Sequence, residues 1–430
     1  MSFSESEKKP YASAIPEIPS ALGALDAVGR EEFWASLALC HTQGIGGRTC
    51  KRLLTVFGSA YTAVQNPKEW GAAGIRDEQI TAFLSGSWRT AARLEWNATR
   101  VLCGTVLLWT DTRYPETLRE IPDAPVRLYC QGDMSLLSNV CIGIVGTRAC
   151  SFEGVRAAQS LAGGLAASGV TVVSGLAMGI DRQAHLASVD LPGSTIAVLG
   201  AGLDVPYPRD NNDIRERISR RGLLLSEYAP GTRADPRHFP VRNRLISGLS
   251  LGVLVVEAAL RSGSLITARL ALEQNRSVYA VPGALGSRFA VGCQELVRQG
   301  AQAVFSSADI LRDLSAQLRG SLRQGVSQSA VPGVAAPNQA APNQPVRPNP
   351  APVQRFSPAP QAPVAPDTHG LDPASPEYRI LTLLGKGAAL SADDLCQQLA
   401  LPPETVGSTV VILEVRGRVQ RLANLQYRLA

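Results

Sequence analysis

The chain has 430 residues, 45% of them hydrophobic and 18% charged, which is the composition of a folded globular protein with two or three domains. No apolar run approaches the length of a membrane span, so the composition excludes a membrane-spanning protein. The formal net charge of +6 is modest for this length and does not by itself indicate a nucleic-acid partner.

Three further features of the composition bear on location and ligands. The first ten residues are polar and lack the apolar segment of a signal peptide, and the eight scattered cysteines form no CxxC pair. We therefore expect a cytoplasmic protein with free thiols, without a metal site or a disulfide framework. Five of the 42 basic residues are lysines and the rest are arginines, whose planar guanidinium fits phosphate oxygens.

The N-terminal sequence predicts a tail followed by a helical domain. Residues 1–30 have the composition of a flexible tail, and the spacing of apolar residues over 31–100 predicts helices. Four of the five tryptophans fall in this second range, which predicts a small core of its own.

A glycine hairpin within this region has two interpretations. Gly44-Ile45-Gly46-Gly47 resembles the turn of a helix–hairpin–helix or SAM-like domain, which can offer amides to DNA phosphates, with Arg48, Lys51 and Arg52 nearby. Alternatively, it is a turn of a helical bundle in which glycine is needed for geometry.

Residues 101–319 predict an α/β domain with a Rossmann-like, doubly wound, mostly parallel sheet. Apolar runs alternate with segments long enough for crossover helices, and the central runs are almost continuous valine, isoleucine and leucine, as in strands covered on both faces. The predicted strands are Val106–Trp109, Cys141–Val145, Val170–Ser174, Thr195–Leu199, Leu223–Glu227, Val253–Glu257 and Ser277–Val281.

The remaining sequence predicts a linker and a second small domain. Residues 320–375 are rich in proline and alanine and repeat AAPNQ in tandem, as in an extended spacer. Residues 376–430 predict three helices, the second of which begins at Ser391 with a capping-box pattern, and then a hairpin (Val419–Leu422 and Gln426–Leu429). This order is typical of a winged helix.

The third helix of this predicted winged helix gives no clear sign of base recognition. It carries Ser408, Thr409 and Glu414 but no basic residue before Arg416. A module that binds proteins, or that binds duplex DNA weakly, is therefore as consistent with the sequence as a module that reads DNA bases.

Glycine-rich or polar segments follow several of the predicted strands. Gly146-Thr147-Arg148 lies between the strand Cys141–Val145 and a helix beginning near Phe152. Glycine lets the backbone approach a ligand, and a helix N-terminus offers free N–H groups to a phosphate. The spacing is not GxGxxG and no acidic residue stands where a ribose partner is expected, so we expect no dinucleotide or other cofactor. By itself the segment is better explained as a tight βα turn with an incidental arginine.

Three further segments of this kind lie downstream. Ser174–Asp181 follows an apolar strand, His238–Arg244 places an aromatic residue beside two arginines, and Ser262–Thr267 opens a helix. The loops that follow the strands of a doubly wound sheet gather along one edge. There, small and polar residues can follow a sugar-phosphate backbone, arginines can neutralise it, and Phe239 can stack on a base. The four segments together indicate a site for an extended polyanion.

The motifs of the α/β region, about half of the chain, also resemble those of a known family, DNA-processing protein A (DprA, also called Smf). The motifs that carry the resemblance are Gly146-Thr147-Arg148, Ser174–Asp181 with His185, Tyr207-Pro208, Ser226-Glu227, Phe239-Pro240 with Arg242-Asn243-Arg244, Glu257 with Ser262-Gly263-Ser264, and Pro282-Gly283. The flanking helical and winged-helix domains resemble those of the family's longer members.

The resemblance implies a function and a set of contacts. It implies a protein of natural transformation that binds and protects incoming single-stranded DNA, loads the RecA recombinase onto it and forms a homodimer through the Rossmann-like domain. Whether duplex DNA is also bound stays open. Phe239 is the stacking candidate, and Arg244 and, by proximity, Arg237 are further candidate DNA contacts beside it. The candidate phosphate contacts are Thr147, Arg148, Ser174, Gly175, Arg242, Asn243, Ser262, Gly263 and Ser264.

An enzyme on the same fold is the alternative. The domain also looks like that of nucleotide phosphoribohydrolases, whose PGGxGTxxE motif has only a faint echo here at Pro282–Gly286. Asp181 and His185 share a helix face, but without a nucleophile pattern nearby a helix-capping aspartate and a hydrogen-bonded histidine are expected. Glu257 is expected to orient an arginine of the segment 242–244. We therefore expect a non-enzymatic protein.

Overall fold

The computed structural model describes residues 20–284, 287–315, 372–387, 389–415, 418–422 and 426–429. The chain divides into two compact units, Met1–Ser307 and Ala308–Ala430. Among the helices of the described residues, none is long and apolar enough to cross a membrane.

The first described segment is helical, as predicted. Its helices are α1 Ala27–His41, α2 Gly47–Phe57, α3 Ala60–Gln65, α4 Asp77–Leu84 and α5 Arg89–Val101, with a 3₁₀ turn at Pro67–Ala73. Phe33 of α1 stacks on Trp96 of α5 at 5.6 Å and meets Tyr129, a residue of the sheet, edge-on at 6.4 Å. The tryptophan-rich core therefore continues into the core of the sheet, so the prediction of a separate small core is wrong.

Nine strands of the described residues form one mixed sheet. They are β1 Thr105–Leu108, β2 Arg127–Gly132, β3 Cys141–Val145, β4 Thr171–Ser174, β5 Thr195–Leu199, β6 Leu223–Ser226, β7 Gly252–Val255, β8 Ser277–Ala280 and β9 Gln302–Ala303. Their spatial order is β1-β2-β6-β5-β4-β3-β7-β8-β9. The strands from β6 to β9 in this order run parallel, whereas β1 and β2 are antiparallel additions at one edge. The predicted doubly wound, mostly parallel sheet is confirmed.

The apolar pattern of the sequence does not predict strand β2, because this strand begins with a charged residue. Arg127 is buried there, and its Nε donates to a carboxylate oxygen of Glu95 on α5 at 2.7 Å. The Tyr129 hydroxyl donates to the same carboxylate. A charge survives inside a core only when it is paired and hydrogen-bonded in this way.

Helices connect the strands and cover the sheet. They are α6 Glu116–Glu120, α7 Phe152–Ala167, α8 Ile180–Ser188, α9 Asn212–Arg221, α10 His238–Leu249, α11 Ser264–Glu273 and α12 Val291–Arg298, with 3₁₀ turns at Met134–Ser138 and Arg209–Asn211. A further helix, α13 (residues 307–315), follows β9 in the chain. From β3 the chain moves outward through β4, β5 and β6, and then returns to β7 on the other side of β3. A crevice forms where the chain reverses direction in this way, and ligands of open α/β sheets bind there.

The second unit contains the predicted winged helix. Its elements are α14 Pro376–Leu384, β10 Leu390–Ser391, α15 Ala392–Leu399, α16 Pro403–Val415, β11 Val419–Arg421 and β12 Gln426–Leu429, with sheet order β10-β12-β11. Ser391 and Asp394 form the predicted capping box. Thr409 is buried, and its hydroxyl donates to the carbonyl of Thr405 at 2.7 Å. This hydroxyl is therefore not exposed for contact with a DNA base. Arg416 lies outside the described residues.

Candidate nucleic-acid interface

An open cleft of about 540 Å³ lies at the reversal point of the sheet. Its walls are the segment after β3, the first turns of α10 and the N-terminus of α11. The sequence-predicted residues that line it are Thr147, Arg148, Phe239, Arg242, Asn243, Ser262, Gly263 and Ser264. Residues from segments far apart in the sequence thus line one cleft, as expected for segments that follow the strands of a doubly wound sheet.

The segment after β3 presents a free cation. A Cβ on Gly146 would lie 2.5 Å from the Ile180 side chain, so only glycine lets this segment pack against the start of α8. The Thr147 amide donates to the Glu257 carbonyl at 2.9 Å, which fixes the turn. Arg148 is exposed and makes no hydrogen bond or ion pair within the described part of the chain. Its guanidinium is therefore available to an anion.

The side chain of Phe239 forms an aromatic platform beside Arg148. The segment read as a loop in the sequence is the first part of α10, and Phe239 lies in its first turn. The ring packs over Gly200, where a Cβ would lie 2.8 Å from Cδ1, and it is 5.5 Å from the ring of Tyr207. The guanidinium carbons of Arg148 and Arg242 lie 5.6 and 5.9 Å from its centroid. Tyr207 is 41% exposed, and the sequence did not identify it as a contact although it belongs to the Tyr207-Pro208 motif.

Arg242 lies beneath the platform and not on the surface. It is 4% exposed, and its Nη1 donates to the carbonyls of Gly175, at 2.7 Å, and Val198. Burial, with a smaller contribution from the charge of Arg148, lowers the pKa of Arg242 to about 10, against the opposing effect of Asp181. The expected exposed phosphate contact is thus a buried cation that joins the ends of β4 and β5 and adds positive potential to the cleft floor.

Ser174 and Gly175, also expected to contact phosphate, are engaged within the protein. The Ser174 side chain is buried, and its hydroxyl donates to the carbonyl of Ile144 at 2.6 Å. The amide of Gly175 donates to Asp181 at 3.1 Å, while its carbonyl accepts from Arg242. A Cβ on Gly175 would lie 2.5 Å from the Arg242 guanidinium, so this glycine makes room for the buried cation. Ser174 therefore supports the cleft from within the core, whereas Gly175 also lines a smaller cavity beside Arg148 and Phe239.

Asp181 and His185 have structural partners. Asp181 accepts the amides of Gly175 and Ala177, and burial raises its pKa. His185 is buried, and its Nδ1 shares a hydrogen bond of 2.7 Å with the Thr195 hydroxyl. Burial lowers the pKa of His185 to about 3, so the ring is neutral. The expected roles of a turn-organising aspartate and a hydrogen-bonded histidine fit this geometry.

Two predicted arginine contacts, Arg244 and Arg237, do not line the cleft. Arg244 is buried, and its Nη2 donates to both oxygens of Glu227 at 2.7 and 2.6 Å. Arg237 is exposed and forms two hydrogen bonds to Asp235, at 3.0 and 2.7 Å. Arg244 points away because residues two apart on a helix face different directions. The burial of Arg244 corrects the sequence-based expectation for that side chain, whereas Arg237 is exposed and stays a predicted contact.

The N-terminus of α11 forms the opposite wall. The hydroxyls of Ser262 and Ser264 share a hydrogen bond of 2.7 Å, and Gly263 between them is exposed, with nothing within 4 Å of a Cβ. The first amides of this helix are engaged locally: Ser264 donates to the Ser262 hydroxyl, Leu265 to the Ser262 carbonyl and Ile266 to the Gly263 carbonyl. Asn243 of α10 also lines the cleft, and its side-chain oxygen accepts from Arg242 at 3.3 Å. Hydroxyl and amide side chains of this wall thus line the same cleft as Arg148 and Phe239.

The carboxylates of Asp181 and Glu257 have partners within the protein. Glu257 accepts the amide of Ser151 at 2.9 Å and its hydroxyl at 2.5 Å, and so holds the start of α7. The expected link from Glu257 to Arg242 or Arg244 is therefore wrong. Among the described residues that line the cleft, Asp181 supplies the only carboxylate. The described residues contain no group of three or more His, Cys, Asp or Glu side chains arranged to hold a metal ion.

The basic residues of the glycine hairpin are largely engaged within the protein. Lys51 donates to the carbonyls of Glu120 and Ile121, and Arg52 donates to the carbonyl of Gly74 at 3.1 Å. Arg48 is exposed. The hairpin therefore fits a packing turn better than a surface lined with cations.

Two family models match the chain. The model for DNA recombination-mediator protein A matches residues 105–315, and the model for the DprA winged helix domain matches residues 357–424. These ranges correspond to the region of the sheet and to the second small domain.

Individual proteins are similar to the chain over the same region. DNA processing protein DprA of Streptococcus pneumoniae is 45% identical over 203 residues, which cover 47% of this chain and 72% of that protein. The protein of the same name from Bacillus subtilis is 46% identical over 203 residues, or 47% of this chain and 68% of that protein. The X-ray structure of DNA processing protein A from Streptococcus pneumoniae aligns with a TM-score of 0.58 and 35% identity, covering 65% of this chain and 97% of that one. The chain therefore belongs to the DNA processing protein A (DprA/Smf) family.

Proposed function

We propose that the cleft binds single-stranded DNA without regard to base sequence. The observation that supports this most is the pairing of the free cation of Arg148 with the aromatic face of Phe239 at the reversal point of the sheet. A guanidinium neutralises a phosphate and an aromatic ring stacks on any base, so the two together match one nucleotide without selecting it. The donors of Asn243 and of Ser262–Ser264 then contact the neighbouring sugar-phosphate backbone.

A single strand fits this site better than a duplex. Base stacking on Phe239 requires a base whose face is free, and in a duplex both faces of a base are covered by its neighbours. Binding to duplex DNA would have to use phosphate contacts alone, so it would be weaker at the same salt concentration.

We further propose that the protein acts in natural transformation in the cytoplasm, where it protects incoming single strands and loads RecA onto them without catalysing a reaction. Membership of the DprA/Smf family and the match to a recombination-mediator model support this role. A homodimer formed through the Rossmann-like domain is part of the same proposal. The embedded positions of Asp181 and Glu257 favour binding over the alternative of a nucleotide phosphoribohydrolase.

The proposal is tested by fluorescence anisotropy of the full chain with labelled oligonucleotides. We expect tight, length-dependent binding to single strands, weaker binding to duplexes of equal length, and a log affinity that falls linearly with log salt. Free nucleotides are incubated in parallel and checked by chromatography for release of bases. Release of bases together with weak oligonucleotide binding would establish the hydrolase instead. Light scattering tests the dimer, and the RecA ATPase rate on pre-bound single strands tests loading.

A further inference from the structure

A chain of contacts that the proposed function does not use connects the N-terminal helices to α10. Lys51, on α2, donates to the carbonyls of Glu120 at 2.9 Å and Ile121 at 2.7 Å, where α6 ends. The last carbonyls of a helix lack partners within it, and a cation there is favoured by the helix dipole. Arg48, one turn earlier on α2, is exposed and has no hydrogen bond or ion pair among the described residues. Lys51 therefore fixes the end of α6 while Arg48 does not.

The segment after α6 leads directly to α10. Asp123 follows the carbonyl that Lys51 holds, and its Oδ2 lies 3.2 Å from Nε of Arg244. A Cβ on Gly47 would lie 3.3 Å from the Cβ of Asp123, so α2 packs against this segment as well. On its other side, Arg244 donates two hydrogen bonds to the carboxylate of Glu227. The two hydrogen bonds to Glu227 fix the direction of the guanidinium, and Asp123 adds an ion pair without a hydrogen bond to Nε.

Helices α6, α10 and α11 meet at the same place. A Cβ on Gly248 would lie 3.0 Å from the side chains of Leu118 and Ile121, so glycine allows α10 to lie close to α6. Gln274 of α11 donates to the Arg244 carbonyl at 3.2 Å. The two helices that border the cleft therefore share one junction with α6, and Arg244 lies at its centre.

We propose that Arg244 is a positioning residue for the cleft, and that the N-terminal helical region sets the orientation of α10 through Lys51 and Asp123. Phe239 and Asn243 are four residues apart on α10 and share its cleft face, whereas Arg244 is turned by about 100°. Rotation of the helix at Arg244 therefore moves the aromatic ring and the amide together. This inference rests on the proposed function, because its readout is DNA binding in the cleft.

Lys51→Met in the full chain tests the proposal, since it keeps the aliphatic stem and removes the two hydrogen bonds. We expect the affinity for an oligo-dT strand to fall about threefold or more, the range of coupling through a packed network. The salt slope should stay unchanged, because no phosphate contact is lost. A direct phosphate contact at Lys51 would instead lower the slope by about 0.7. Lys51→Arg, which keeps donors and charge, should restore affinity.

Three controls separate positioning from loss of structure. Arg48→Met should change neither affinity nor slope. The effects of Lys51→Met and Arg244→Lys should be less than additive, since both act on one junction. Quenching of 2-aminopurine placed in the bound strand should weaken in the Lys51 variant, because the ring is displaced. If that variant does not fold, Asp123→Asn takes its place.

The possible results are distinct. Failure of the unmodified chain to bind single strands overturns the proposed function. Normal binding by the unmodified chain, combined with unchanged affinity and quenching in Lys51→Met, overturns the positioning role alone. A lower salt slope in that variant also overturns it, in favour of direct DNA contact by α2.

Discussion

The guanidinium carbon of Arg148 lies 5.6 Å from the ring centroid of Phe239, so the exit of β3 and the first turn of α10 meet at a cation–π contact. The contact keeps an otherwise unpaired cation in place without neutralising it. A phosphate and the base attached to the same nucleotide can therefore be bound side by side.

Arg148→Ala should weaken single-strand binding without changing stability. Because the side chain is exposed and has no polar partner among the described residues, we expect a loss of about 0.7 in the slope of log affinity against log salt, corresponding to one phosphate. The free energy of unfolding should change by less than about 0.5 kcal/mol. Anisotropy titrations at several salt concentrations measure the first quantity and urea unfolding the second. An unchanged slope would remove Arg148 from the interface.

Arg242→Ala should mainly reduce stability. The change leaves the carbonyls of Gly175 and Val198 buried without their donor and removes the cation near Asp181, so unfolding should become easier by about 3–5 kcal/mol. Urea denaturation measures this. Arg237→Ala is the control, since that exposed side chain pairs only with Asp235 among the described residues and should shift stability by less than about 0.5 kcal/mol. Equal stability of the two variants would contradict the buried role of Arg242.

Phe239→Ala should cost about 1–3 kcal/mol of binding free energy if the ring stacks on a base. The loss should be the same for different base sequences and should leave the salt slope unchanged, because no charge is removed. Isothermal titration with oligo-dT and mixed-sequence strands measures both. Tyr207→Ala, at the neighbouring exposed ring, should give a smaller loss. Wild-type affinity of the Phe239 variant would show that the ring only packs.

Gly263→Ala should change the affinity for DNA without changing the stability of the fold. Its φ of −60° suits any residue and nothing lies within 4 Å of the added carbon, so stability should be unchanged. If DNA phosphates approach the backbone there, affinity should fall. Gly146→Ala is the comparison variant, for which a loss of stability is expected. The added Cβ would overlap the side chain of Ile180, and overpacking of this kind costs about 1–3 kcal/mol of stability. Unchanged affinity of the Gly263 variant would place the strand away from α11.

Acid should destabilise the fold through His185. Burial lowers its pKa in the folded protein to about 3, whereas the unfolded residue takes a proton near pH 6.5. Between these pH values the unfolded chain binds more protons than the folded protein. The contribution of the neutral His185 to the free energy of unfolding is therefore complete above pH 6.5, and it falls by up to about 1.4 kcal/mol per pH unit below pH 6.5. His185→Gln should therefore lose about 2 kcal/mol less than the natural protein between pH 7 and pH 5 in urea unfolding. Equal losses would mean that the folded histidine titrates normally.

The sequence predicts most of the sheet because buried parallel strands are runs of valine, isoleucine and leucine. Cys141–Val145 and Thr195–Leu199 have the predicted bounds. Strand β2 is missed because its buried Arg127 depends on Glu95, a partner that only tertiary structure supplies. The winged helix was predictable from local signals such as the capping box at Ser391.

The candidate site is predictable in its segments but not in all its side chains. Helical spacing alone could have shown that Arg242 and Arg244 face different directions, once residues 238–249 are placed on a helix. The burial of Ser174 and Arg242 could not be foreseen, because it depends on carbonyl groups of neighbouring strands. Tyr207 could have been found only from its place in the Tyr207-Pro208 motif.

The packing of Phe239 over Gly200, beside Tyr207 and two guanidinium groups, means that the stacking face is formed before any ligand arrives. A preorganised protein surface pays little ordering entropy on association. The entropic cost of ordering then arises mainly in the DNA, because its bases must unstack from one another to reach the ring. Flexible, weakly stacked thymine tracts should consequently bind more tightly than stiff adenine tracts, although the cleft reads neither base.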